Sequence, residues 1–193
     1  AWTDTHRRYR AQLLAGGSFQ RARFTDLFGE VGPGRNRTDD LATRSFGRFA
    51  GSVAATPWLE TTALATAQHE SVDPHDAFAL VALPDSTRDT LATAAELNAH
   101  GRVAGLRCEL RPSVRVEHTE ARLHATYYRD LVVTEVAHAA PTYRVGGVVE
   151  PTRGVALSAS ATTGQRVPSM LELFGDGALL AGNTGLRPER STS

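Results

Sequence analysis

From Leu106 to Glu117 apolar and polar side chains alternate without interruption. Leu106, Cys108, Leu110, Pro112, Val114 and Val116 fall on one face, and Arg107, Glu109, Arg111, Ser113, Arg115 and Glu117 on the other. A strict period of two over this length predicts one extended strand. Strands of soluble sandwiches usually stop after about 5 or 6 residues, whereas a strand crossing the hydrocarbon of a membrane needs about 9 to 11. The length therefore favours a membrane barrel. The charged face must meet water or its own partners, so Arg107, Glu109, Arg111, Arg115 and Glu117 are expected to face a wet lumen or a domain that fills it. There they would pair with one another or touch a transiting ligand. Pro112 forfeits a ladder bond and predicts an edge or a bulge.

The same period recurs along the chain. Leu91, Thr93, Ala95, Leu97 and Ala99 alternate with polar or small residues, and Gly101-Arg102 then predicts a turn into the strand above. A second hairpin is predicted from Tyr143, Val145, Gly147 and Val149, through Glu150-Pro-Thr-Arg-Gly154, to Val155, Leu157, Ala159 and Ala161. Upstream, Tyr9 to Ala15, Gly47 to Ala55 and Glu60 to Glu70 read as strands, with a turn at Thr56-Pro57-Trp58. About seven strands result. Short turns near Pro57, Gly101 and Pro151 interleave with long polar connections at Gly16 to Thr43, Ser71 to Thr90, Thr119 to Pro141 and Gln165 to Arg190. Bacterial membrane barrels alternate short periplasmic turns with long external loops in this way. The expected fold is an all-β, antiparallel transmembrane β-barrel of the up-and-down kind. About seven strands leave open edges, so residues 1–193 are expected to be one partial barrel domain within a larger barrel.

Composition acts mainly by exclusion. No apolar run approaches the roughly 20 residues of a membrane helix. The net charge is zero and the basic residues, all arginine, are spread along the chain, so nucleic acid is not an expected partner. One cysteine, Cys108, excludes an internal disulfide and is expected as a small buried hydrophobe.

The residues from Gln165 onward carry the most specific signal. Arg166, Pro168, Ser169, Glu172, Leu173, Phe174 and Gly175 are followed, after a gap, by Asn183, Leu186, Arg187, Pro188, Glu189 and Ser191. In order and spacing this stretch resembles the late-barrel signature of TonB-dependent outer-membrane receptors, although Gln165 replaces the usual aromatic residue and Thr184-Gly185 the common Pro-Asp. The resemblance implies active import across a bacterial outer membrane, through a barrel of about 22 strands around a plugged lumen. It implies as partners the membrane lipid, a plug domain and further strands beyond this chain, the TonB complex acting through that plug, and a small nutrient such as a ferric siderophore or similar metal chelate. The chain would supply wall and external loops, with Arg166, Pro168, Glu172, Leu173, Phe174, Asn183, Leu186, Pro188 and Glu189 bracing a loop or lying beside ligand.

Other groupings are weaker. His69, Glu70, Asp73, His75 and Asp76 are expected in one polar loop without tight ligand spacing, and His118, His124 and His138 are scattered. No nucleophile motif appears, so neither catalysis nor a cofactor or resident metal is expected. Tyr127 and Tyr128 read as girdle or loop aromatics, and Gly32-Pro-Gly34 as a turn. The rival to the barrel is a soluble all-β binding module with long recognition loops.

Overall fold

A computed structural model describes residues 2–6, 9–28, 30, 35–78, 84–127, 130–152, 154–175 and 182–193. Among these residues nine strands lie in sequence order, each antiparallel to the next: β1 (Trp2–His6), β2 (Tyr9–Asp26), β3 (Asn36–Thr56), β4 (Leu59–Asp73), β5 (Asp85–Val103), β6 (Leu106–Tyr127), β7 (Asp130–Thr152), β8 (Val155–Arg166) and β9 (Glu189–Thr192). The strands legible in the pattern correspond to β2 to β8, and the two short edge strands are additional. A helix, α1 (Met170–Phe174), lies in the connection from β8 to β9. The described strands form an open sheet with β1 and β9 at its edges.

Register assigns every side chain to one of two faces. Leu13, Phe49, Leu97, Leu110, Val116, Tyr143 and Leu157 share one face across β2 to β8, and all of them are exposed. A sandwich would cover such a face with a second sheet. Here the buried apolar residues among those described are Ala92, Ala121, Ala140, Pro168 and Leu173, all belonging to the opposite, polar side. The exposed apolar face is therefore a lipid-facing wall. On β6 it runs from Leu106 to Val116, about 34 Å along the strand and about 24 Å across a bilayer at a 45° tilt.

Beyond that band the same face turns charged. His69 Nδ1 lies 2.7 Å from Asp89 Oδ1, Arg122 pairs with Glu120 and with Glu135 at 3.4 Å, and Arg21 pairs with Asp39. The strands nevertheless continue, so three predicted long connections are shorter than expected. Gly16 to Thr43 is strand up to Asp26 and again from Asn36, and Ser71 to Thr90 is strand up to Asp73 and from Asp85. Thr119 to Pro141 is almost wholly ladder, with β6 and β7 paired from Arg107↔Glu150 to Tyr127↔Asp130. Above the lipid the alternation on β6 changes phase, with Glu120, Arg122 and His124 on the face that is apolar below and Ala121, Leu123 and Ala125 on the other, while the backbone pairing continues. Tyr128, the Tyr127 side chain and Gly32-Pro-Gly34 lie outside the described residues.

The predicted turn at Gly101-Arg102 moves to Ala104-Gly105, where φ is +51° and +83°. Positive φ at both corners is what a two-residue hairpin loop of type I′ requires. Pro112 stays within a central strand and keeps its pair with Val145 on β7, but the β5 ladder omits Leu97 with Pro112 and Asn98 with Arg111. Its missing N–H thus faces β5. Cys108 is half-exposed on the apolar face instead of buried.

Candidate functional site

α1 forms where local chemistry leaves little choice. Ser169 accepts a hydrogen bond from the Glu172 N–H at 3.2 Å, and the Glu172 carboxylate accepts one from the Ser169 N–H at 2.7 Å. This reciprocal capping satisfies two donors at the helix start. Gly175, at φ +76°, closes the helix by donating to the Leu171 carbonyl at 2.8 Å. Leu173 points inward and is 1% exposed, Pro168 is buried, and Leu171 points to solvent.

The carboxylate of Glu172 also receives Arg166 Nη2 at 2.6 Å, while Arg166 Nη1 lies 3.4 Å from Glu189. Arg166 ends β8 opposite Glu189 in the β9 ladder, so one guanidinium ties the helix to both strands. Arg166 foremost, then the Ser169 N–H and hydroxyl, hold the Glu172 carboxyl down to about 2. Asn183 joins through its backbone, its N–H donating to the Glu172 carbonyl at 2.9 Å, and its side chain accepts from the Gly185 N–H at 2.9 Å. The structure thus gathers Arg166, Glu172, Asn183 and Glu189 into one knot around the buried Pro168 and Leu173. Phe174 and Pro188 are half-buried beside it, and Leu186 is exposed.

Gly182 belongs to this knot for a reason the turn chemistry of glycine does not convey. A Cβ there would lie 2.3 Å from the Phe174 carbonyl carbon and 2.5 Å from Gly175 N. Only glycine allows the returning chain to approach the helix end so closely.

The knot sits on the polar face. Arg88 of β5 donates from Nη1 to the Pro168 carbonyl at 3.4 Å, and from Nε to Glu70 of β4 at 2.7 Å. Glu70 further accepts from Gln68 at 2.9 Å and lies 3.6 Å from Arg44 of β3. Arg88 and Glu70 side chains are only 20% and 15% exposed. Val167 walls a cavity of about 700 Å³ whose charged lining is Arg44, Arg48, Arg88, Arg115 and Glu117. It also walls a smaller one of about 230 Å³ that holds Arg115, Glu117 and His138.

The five charges read from β6 share this polar face but not one place. Arg115 pairs with Glu117 at 2.6 Å and both reach the covered cavities. Arg111 pairs with Glu109 at 2.5 Å, and Arg107 stands 3.7 Å from Glu150, both nearer the short turns. The expected His69 to Asp76 loop grouping is split. His69, Glu70 and Asp73 belong to β4, with His69 and Glu70 on opposite faces, while Asp76 accepts from the backbone of Arg37 and Phe78. Among the described residues no three metal-holding side chains meet. Arg44, Arg48 and Arg88 were not singled out from sequence. The signal available was parity, since Arg88 continues the even-numbered face of β5 that faces Glu70 in register.

The family model described as TonB dependent receptor-like, beta-barrel matches residues 1–193. Comparison with curated proteins and with solved structures returned no significant match.

Proposed function

Since the chain belongs to the TonB-dependent receptor β-barrel family, we propose that it forms part of the wall of an outer-membrane importer whose nutrient is an anionic metal chelate of the ferric-siderophore kind. The family implies the Gram-negative outer membrane and TonB-linked import with a plug domain, and its members are transporters and not enzymes. In this reading the apolar face meets lipid and the polar face lines the lumen. Arg107, Glu109 and Arg111 would then meet the plug. The knot around Glu172 stands at the extracellular end, opposite the short turns, and further strands of the receptor close the barrel.

One observation carries the substrate class. The 700 Å³ cavity and its immediate partners hold four guanidinium groups, Arg44, Arg48, Arg88 and Arg115, against two carboxylates, Glu70 and Glu117. Four against two leaves an excess of two positive charges on a wall shielded by Val167. Such a wall attracts and orients anions through charge-assisted hydrogen bonds, whereas a neutral glycan would gain little from it. Binding of anionic ferric chelates and neutral oligosaccharides to the complete receptor in detergent, with Arg48→Gln alongside, tests this. Affinity for an anionic chelate, weakened in Arg48→Gln, is expected. Binding of neutral ligands alone would overturn the substrate class, and a receptor-deleted strain with unimpaired uptake of every chelate offered would overturn the import of chelates.

A further inference from the structure

We propose that Arg88 is a positioning residue that seats the Val167–Gly175 segment on the polar face, and so sets how far this end of the wall stands open to ligand. The segment is internally braced, because Ser169, Glu172, Arg166, Glu189 and Asn183 bond one another. Those contacts fix its shape but anchor it only to β8 and β9, at the edge of the sheet. Among the described residues, the side-chain hydrogen bond that carries it across to the middle of the wall is Arg88 Nη1 to the Pro168 carbonyl, 80 residues away in sequence.

Arg88 is suited to that task because it is itself held. Glu70 takes the Nε edge of its guanidinium, and Gln68 and Arg44 in turn fix Glu70. A planar fork pinned on one edge presents its other donors in a fixed direction. Both partners are mostly shielded from water, which strengthens the hydrogen bond and makes an unpaired replacement costly. Arg88 also lines the 700 Å³ cavity beneath Val167. An anion entering that cavity therefore competes with the Pro168 carbonyl for the same guanidinium, which couples ligand arrival to loosening of the segment over it.

The experiment uses the complete receptor in liposomes, with Cys108→Ser as background and spin labels at Leu171→Cys and Thr93→Cys, both exposed positions. Three forms are compared: the background, Arg88→Gln, and the exchange Glu70→Arg with Arg88→Glu. The exchange keeps an ion pair between β4 and β5 but moves the donor away from Pro168. Heat-modifiable gel migration establishes that each barrel is folded. Arg88→Gln is expected to broaden the interlabel distance distribution and to weaken chelate affinity about tenfold, as for one lost charge-assisted hydrogen bond. The exchange is expected to restore neither. An unchanged distribution in Arg88→Gln, or recovery in the exchange, would overturn the assignment by showing an ordinary structural ion pair. The role in uptake rests on the proposed import of a chelate, whereas the distance measurement does not, so failure of one is distinguishable from failure of the other.

Discussion

Replacing Leu173 by alanine should release the knot and leave the wall intact. Leu173 is the largest fully buried side chain among the described residues, and it belongs to a five-residue helix too short to persist without packing. Truncating a buried leucine costs roughly 2–5 kcal/mol. A surface-docked helix can partly collapse onto the space, so the lower part, about 2–3 kcal/mol, applies here. At about 1.4 kcal/mol per decade this multiplies the open population by roughly 30 to 150. Native-state hydrogen exchange in liposomes reads that number directly, at the Gly175 amide bonded to Leu171 and the Asn183 amide bonded to Glu172. Both should lose protection together by that factor, while the β6–β7 ladder amides keep theirs. A loss under about threefold, or an equal loss throughout the wall, would refute the reasoning, because the helix would then be held by polar contacts alone or be inseparable from the barrel.

Glu172 supplies the pH dependence. Its carboxyl is held down to about 2 in the folded state, so its contribution is complete above the ordinary carboxylate range near 4.3 and lost as pH falls towards 2. Exchange at Gly175 should be flat from pH 7 to 5 after correction for intrinsic rates and accelerate below about 4; release already at pH 6 would contradict the assignment. Gly182→Ala forces a Cβ into the Phe174 and Gly175 backbone and should cost about 1–3 kcal/mol of the segment's seating, seen at the same two amides with wall amides unmoved. Leu110→Arg, in the exposed apolar band, should lower the stability of the complete barrel in lipid by about 2–4 kcal/mol in urea titrations. A neutral result there would show that this face does not meet the bilayer core.

How far the chain could be read depended on where the surroundings impose contrast. Leu106 to Val116 was legible because lipid on one side and polar contacts on the other force a period of two. Past His118 the period of two continues but changes phase, with Glu120, Arg122 and His124 on the formerly apolar face and Ala121, Leu123 and Ala125 on the other, so residues in ladders read as a polar loop. Gly101 looked like the hairpin corner because glycine is the usual breaker, yet the corner is Ala104-Gly105, where the left-handed backbone of the alanine is set by closure of the strands. The signature stretch showed which residues belong together without showing how. That Arg166 bridges Glu172 and Glu189, or that Gly182 serves close approach, follows from the path of the chain between β8 and β9. Glu70 and Arg88 are 18 residues apart and meet only through the register of β4 on β5.

Pro112 gives the wall a line of weakness. Elsewhere β5 and β6 are stitched row by row, but at Leu97, Asn98, Arg111 and Pro112 the stitching stops for two rows, and the Asn98 side-chain oxygen is buried there without a hydrogen-bond partner among the described residues. These rows lie within the hydrocarbon span, where no water can replace a missing donor. Mechanical load on the barrel is therefore not shared evenly. Under a pull from within the lumen, these two rows lack the donor that Pro112 cannot supply, so fewer hydrogen bonds there must break before the strands can slide.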